Sequence, residues 1–259
     1  MRSWFQFLSA CLLLAACGRA AAVPAEPLVL GAEDDWYPYT AYKNGRIQGM
    51  SADIVRAAFK AADTPVQLNP YPYSRCMKLA LKGLIAGCFN TSPNPHILAD
   101  YRLPRQPLFR AEIQLWARRD AAQPPDLERA LKRALSGRKV AVTLGYEYGD
   151  GFDRRHDLVR IPVRKDYYGF LMLQRGRVDY ALAYRSTARQ LFSEHPELED
   201  QFQPVATIHR PELYLSFSRR HPQAEHLLER FELGMQRILA NGDYQKILDG
   251  WRQATDAVP

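Results

Sequence analysis

The side chains best suited to chemistry gather in the run Glu33-Asp34-Asp35-Trp36-Tyr37-Pro38-Tyr39. Carboxylates there can accept hydrogen bonds or hold a cation, and the rings can stack on a planar group or face a positive charge. The run follows Leu28-Val29-Leu30-Gly31-Ala32, which reads as a buried strand. Polar and aromatic groups just past the end of a parallel strand stand where open α/β sheets bind ligands. Trp36 and Tyr39 could equally close the core beneath a loop, and chemistry alone leaves both readings open. Further along, Arg75 falls in the first turn of an expected helix facing the same edge. It could grip an anionic group in bidentate fashion or serve as surface charge. Cys76 lies near the start of an expected helix and Cys88 near the end of the next strand, so they could form a disulfide or remain two buried thiols. Neither has a His or Cys partner at metal-ligand spacing, so no metal site and no cofactor is expected.

These residues need elements to position them. Lys43-Asn44-Gly45-Arg46 is a hairpin turn, and an amphipathic helix follows to Phe59. A short strand is expected at 66–68, a helix from about 71 to 82 with Ser74 as its N-cap, and a strand at 84–89. The polar run at 90–95 holds two prolines, which argue against an immediate helix. A strand at 113–117 precedes a change of composition at Gln123-Pro124-Pro125. A helix at 127–135 then opens a βα alternation, with strands at 139–144, 159–163 and 178–184 and helices at 167–174 and 186–193. That alternation predicts a second parallel-sheet lobe. A strand at 213–218 and helices at 223–240 and 243–251 complete the chain.

Bulk properties narrow the class. The 259 residues are 47% hydrophobic, enough for one large domain or two small ones. Residues 1–25 read as an export signal: Arg2, an apolar run from Trp4 to Ala16, and no acidic residue before Glu26. Leu14-Ala15-Ala16-Cys17 has the form of a lipobox in which Cys17 would be lipidated, while Ala20-Ala21-Ala22 suits ordinary signal peptidase. The net charge of +7 comes from dispersed basic residues without a nucleic-acid motif, and export also argues against a nucleic-acid partner.

Four stretches carry a resemblance to a known family. Trp36-Tyr37-Pro38-Tyr39 is similar to its aromatic-x-Pro-Phe loop. Gly45-Arg46-Ile47-Gln48-Gly49-Met50-Ser51-Ala52-Asp53-Ile54 is similar to its Gly-Lys-Leu-x-Gly-Phe-Asp-x-Asp-Leu segment. Gly176-Arg177-Val178-Asp179-Tyr180-Ala181 resembles its Gly-x-Val-Asp-Ala strand start, and Asn241-Gly242-Asp243-Tyr244, with Trp251, its C-terminal signature. In this order, behind an export signal, they resemble the type 3 extracellular solute-binding proteins, which serve ABC importers of polar amino acids. The resemblance implies an α/β fold of the type II periplasmic binding class, with two lobes joined by two crossing strands around a ligand cleft. Lobe 1 is then expected at 26–115 plus 216–259 and lobe 2 at 116–215, with the protein periplasmic, monomeric and partnered by an inner-membrane ABC importer permease.

The resemblance also implies a ligand set, and here the chain departs from the family. The family's Arg after Thr-Pro-Glu has no counterpart in Thr91-Ser92-Pro93-Asn94-Pro95-His96, and its ammonium-binding Asp falls at Tyr184. Glu33 matches an acidic position, Trp36 and Tyr73 match positions that sandwich a side chain, and Tyr146 and Glu147 fall where the family contacts a carboxylate. With Arg75, Asn90, Thr91 and Tyr184 these form the expected ligand-binding residues. The implied function is non-catalytic capture of an amino-acid-like, aromatic or amine-bearing solute. Two alternatives are a periplasmic cyclohexadienyl dehydratase on the same fold, with Glu147 or Glu33 as general acid, and a sensing module for a membrane partner.

Overall fold

A computed structural model of the protein describes residues 28–122, 131 and 133–254. The expected export signal, with Cys17, and most of the helix expected at 127–135 lie outside the described residues.

The first sheet runs in the order β5 (Val66–Tyr71), β1 (Leu28–Glu33), β6 (Gly87–Thr91), β14 (Glu212–Ser218), β7 (Tyr101–Arg102), with β8 (Phe109–Arg110) also paired to β14. Strand β1 lies parallel between β5 and β6 and is covered on both faces, which is why its sequence is nearly continuously apolar. Strands β2 (Asp35–Trp36), β3 (Thr40–Lys43) and β4 (Arg46–Gln48) form a small antiparallel sheet beside it. The turn between β3 and β4 uses Asn44 and Gly45, both at positive φ (53° and 78°), the pairing a tight hairpin requires.

Helix α1 (Met50–Ala61) packs its apolar face on this sheet and against α8 (Ala224–Ala240). The helices approach so closely that a Cβ on Gly234 would stand 1.8 Å from the Ala58 carbonyl oxygen. Helix α9 (Asp243–Trp251) docks on the same side through the Trp251 indole, which donates to Asp53 at 3.0 Å.

The second sheet runs β11 (Val159–Val163), β10 (Lys139–Thr143), β12 (Tyr180–Tyr184), β9 (Ile113–Arg118), β13 (Phe202–His209). Strands β10, β11 and β12 are parallel, and β9 and β13 are antiparallel to their neighbours. All of β9 belongs to the second sheet and all of β14 to the first. The lobe cuts expected at 115/116 and 215/216 therefore fall inside strands, and the chain crosses at 111–112 and 210–211. An apolar run announces a strand but not the sheet it will bond to.

Three local expectations are corrected. Helix α2 (Tyr73–Leu81) begins one residue before Ser74, which makes no capping bond. Pro72 occupies the cap position, and a proline holds its predecessor extended, so the helix starts directly after it. Strand β6 starts at Gly87 and runs through Asn90 and Thr91, while Leu84, expected in the strand, is 66% exposed in the preceding turn. The prolines at 93 and 95 do not prevent a helix. Helix α3 (Pro95–Asp100) opens on Pro95, where a missing N–H costs nothing, and the Asn94 side chain caps it by accepting from Ile97 N at 2.9 Å. Cys76 and Cys88 form a disulfide with Cα atoms 6.1 Å apart, tying α2 to β6.

Candidate functional site

Parallel strands of both sheets present their C-terminal ends to one cleft. Glu33 ends β1, Asn90 lies in β6, Tyr184 ends β12, and Tyr146 and Glu147 follow β10. Trp36 lies in β2 and Tyr73 opens α2. These seven residues, contributed by both lobes, surround a void of about 10 Å³ at the bottom of the cleft. Above it the cleft widens to about 820 Å³ and adds Asp34, Asp35, Thr143 and Asp166 to its walls.

The walls of the void are bonded across the lobes. Tyr73 Oη lies 2.9 and 2.8 Å from the two Glu147 carboxyl oxygens. Tyr146 Oη donates to Glu33 Oε1. Towards the mouth, Lys165 Nζ pairs with Asp35 Oδ2 at 2.5 Å and Lys43 Nζ with Glu194 Oε1 at 3.4 Å. The rings form one cluster: the centroid of Trp36 lies 4.4 Å from that of Tyr39 and 4.7 Å from that of Tyr184, and Tyr146 stands 5.6 Å from Tyr73.

Burial dominates the electrostatics. It raises the Glu33 carboxyl well above the usual carboxylate range, against the Tyr146 hydrogen bond and with help from Asp166, Asp34 and Asp35. Burial likewise pushes Glu147 up to about 8, opposed chiefly by its bond from Tyr73. Asp166 rises to about 6, again through burial, although Thr143 donates to it. The phenols of Tyr73, Tyr146 and Tyr184 are raised by burial too and stay protonated.

The void therefore offers carboxyl groups, ring faces and phenols, and its lining holds no Lys, Arg or His. Six buried polar atoms make no hydrogen bond among the described residues, and four of them belong to residues lining the void or the wider cleft: Trp36 Nε1, Asn90 Oδ1, Asp166 Oδ2 and Thr187 Oγ1. Asn90, itself only 6% exposed and at a φ of 71°, is oriented by its amide nitrogen, which donates to Thr40 at 3.1 Å.

Two expected ligand residues lie elsewhere. Arg75 is exposed and lines neither the void nor the wider cleft. Thr91 is fully buried, with its hydroxyl 3.0 Å from that of Ser216, behind the strand face that carries Asn90. Conversely, Asp166 and Thr143 escaped the reading of the sequence. Asp166 starts α5 (Asp166–Gln174) directly after Arg164-Lys165, a pattern that reads as a solvated helix start. The described residues contain no group of three or more His, Cys, Asp and Glu side chains able to hold a metal ion.

The chain belongs to the bacterial extracellular solute-binding proteins, family 3, whose sequence model matches residues 28–254. Its two-lobe architecture is that of the type II periplasmic binding proteins. An ancestral arginine-binding protein bound to arginine superimposes with a TM-score of 0.73 at 20% identity, covering 87% of this chain and 97% of its own. A histidine kinase sensor domain with similarity to periplasmic binding proteins gives the same score and identity, covering 87% and 96%. The holo arginine-binding protein ArgBP of T. maritima gives 0.68 at 18% identity, covering 86% and 95%. No curated protein sequence matches the chain.

Proposed function

We propose that this protein captures an amine-bearing small solute between its lobes and presents it to an ABC importer in the inner membrane. The observation that carries the reading is the void between Glu33, Glu147 and the Trp36, Tyr73 and Tyr184 rings, which has acceptors and π faces but no cationic side chain in its lining. Carboxyl oxygens and aromatic faces together suit a positive charge, and a bound cation would draw the buried carboxyl groups towards their ionised form. Family membership supports export and solute capture. Hinge motion at the two crossings would admit the solute, and the Tyr73–Glu147 bond across the lobes would re-form around it. Attachment to the membrane through a lipidated Cys17 is part of this proposal, and the mass of the mature chain tests it.

The test is a thermal-shift screen of the mature protein against amines and amino acids. A solute that binds the folded state must raise the melting temperature. Capture predicts stabilisation by an amine recovered chemically unchanged, and loss of that stabilisation in Trp36→Ala. Conversion of the solute to a product would overturn the reading in favour of catalysis on the same fold. A sensing role would share the capture step. Copurification with a permease rather than a signalling partner separates the two.

A further inference from the structure

The cleft narrows the solute further, on the premise that capture is its role. The acidic groups lining its wider part are Glu33, Asp34, Asp35, Asp166 and Glu194, and the basic side chains there are Lys43, Arg164, Lys165 and His195. Asp35 is paired with Lys165 and Glu194 with Lys43. Lys43 is further occupied by the Tyr37 ring, whose centroid lies 3.8 Å from its Nζ. The buried groups are acidic, with Glu33 and Glu147 at the void and Asp166 in the wider cleft, while Arg164, which also lines the wider cleft, is exposed. A solute carboxylate buried beside Glu33 and Glu147 would find no cation in the lining of the void to pair with, and an unpaired buried charge is costly.

Two amide or carboxyl oxygens of the cleft lack partners. Asn90 Oδ1 lines the void, and Asp166 Oδ2 lies in the wall of the wider cleft. The two sit on opposite lobes, Asn90 in β6 and Asp166 at the start of α5. We propose that the solute is an aliphatic diamine or polyamine without a carboxylate, one ammonium held by Glu33, Glu147 and Asn90 and a second by Asp166. The void of about 10 Å³ is close to the roughly 10–15 Å³ that one water-sized group needs, so it admits a single ammonium, which takes the place of the Tyr146 hydroxyl on Glu33. Both are donors, so Glu33 exchanges one partner for another and Tyr146 becomes part of the ring wall. The second ammonium gives Asp166 Oδ2 the partner it lacks and joins the lobes through the solute.

The experiment is titration calorimetry on the mature protein with 1,4-diaminobutane, spermidine, 1-aminobutane, L-arginine and L-glutamate. The diamine should bind at least about tenfold more tightly than 1-aminobutane, because only the diamine reaches the second carboxylate. Asp166→Asn should close that gap by weakening the diamine to about the affinity of 1-aminobutane. A series of diamines of increasing length on the unaltered protein needs no variant: fixed acceptors demand an optimum length, and a flat series overturns the proposal. Binding of L-arginine or L-glutamate without binding of any diamine overturns the diamine assignment and leaves solute capture standing. Absence of binding by every probe overturns both.

Discussion

Glu147→Gln isolates the cost of burying a carboxyl group between the lobes. Burial raises Glu147 from an ordinary 4.5 to about 8. The folded protein therefore keeps a proton that the unfolded chain releases across that range. The contribution to stability is intact below the lower value and is lost progressively as pH rises through the upper one. The slope is about 1.4 kcal/mol per pH unit, so some 3 kcal/mol separates about pH 5 from about pH 7. For a chain of this size that is a fall in melting temperature of roughly 5–11 °C. Glutamine keeps an oxygen for the Tyr73 hydroxyl and for the Ser92 backbone N–H but has no proton to lose. The contributions of Glu33 and Asp166 are common to both proteins and cancel in the comparison. The assay is a pair of melting profiles against pH, with the radius of gyration from small-angle scattering at each point. The wild-type profile should fall away from that of the variant as pH rises. Because Glu147 and Tyr73 belong to different lobes, the lobes can also relieve the strain by parting, which the radius would register. Parallel melting profiles with an unchanged radius would refute the argument.

Other perturbations test the frame around the site. Removing the Cys76–Cys88 disulfide, by reductant or as a Cys76→Ala/Cys88→Ala pair, should cost about 3 kcal/mol, the loop-closure entropy of a short loop. Reductant should lower the wild-type melting temperature and leave the double variant unmoved. Gly234→Ala should lower the urea midpoint by about 1–3 kcal/mol equivalent or more, because the Ala58 carbonyl is backbone and α1 must move aside. An unchanged midpoint would mean that the two helices are not so closely packed. Trp36→Ala should cost roughly 3–5 kcal/mol, since the indole is 2% exposed and packs against Tyr39 and Tyr184. A denaturant titration with a loss under about 1 kcal/mol would show that the ring is not part of the core.

Local chemistry made much of the frame legible. The apolar run ending in Glu33, the Asn44-Gly45 turn, the amphipathic α1 and the closing helices all announce themselves by periodicity or by turn residues that few backbones accommodate. Strand β13 was hidden because Pro204 interrupts its alternation and shifts its register against β9. At the site, the sequence placed carboxylates and rings at strand ends, and chain topology brings those ends to one edge. Which neighbour faces the void is a matter of phase. Asn90 and Thr91 adjoin on β6, so one points to the void and the other to Ser216. Tyr73 and Arg75 are two residues apart on α2, roughly 200° around the helix, so one enters the cleft and the other meets solvent.

The sequence by itself determined the inventory: a strand-end store of acid and aromatic groups, two lobes of βα alternation, and the loss of the charged partners usual in the family. Only the tertiary structure decided that Tyr73 meets Glu147 and Tyr146 meets Glu33, and that Asp166 joins them. Those encounters join residues 74 and 113 positions apart and depend on how two lobes close. Local propensity acts within a few residues and carries no information about such distances, whereas burial between the lobes sets the protonation of each carboxyl group and hence the charge the cleft can accept.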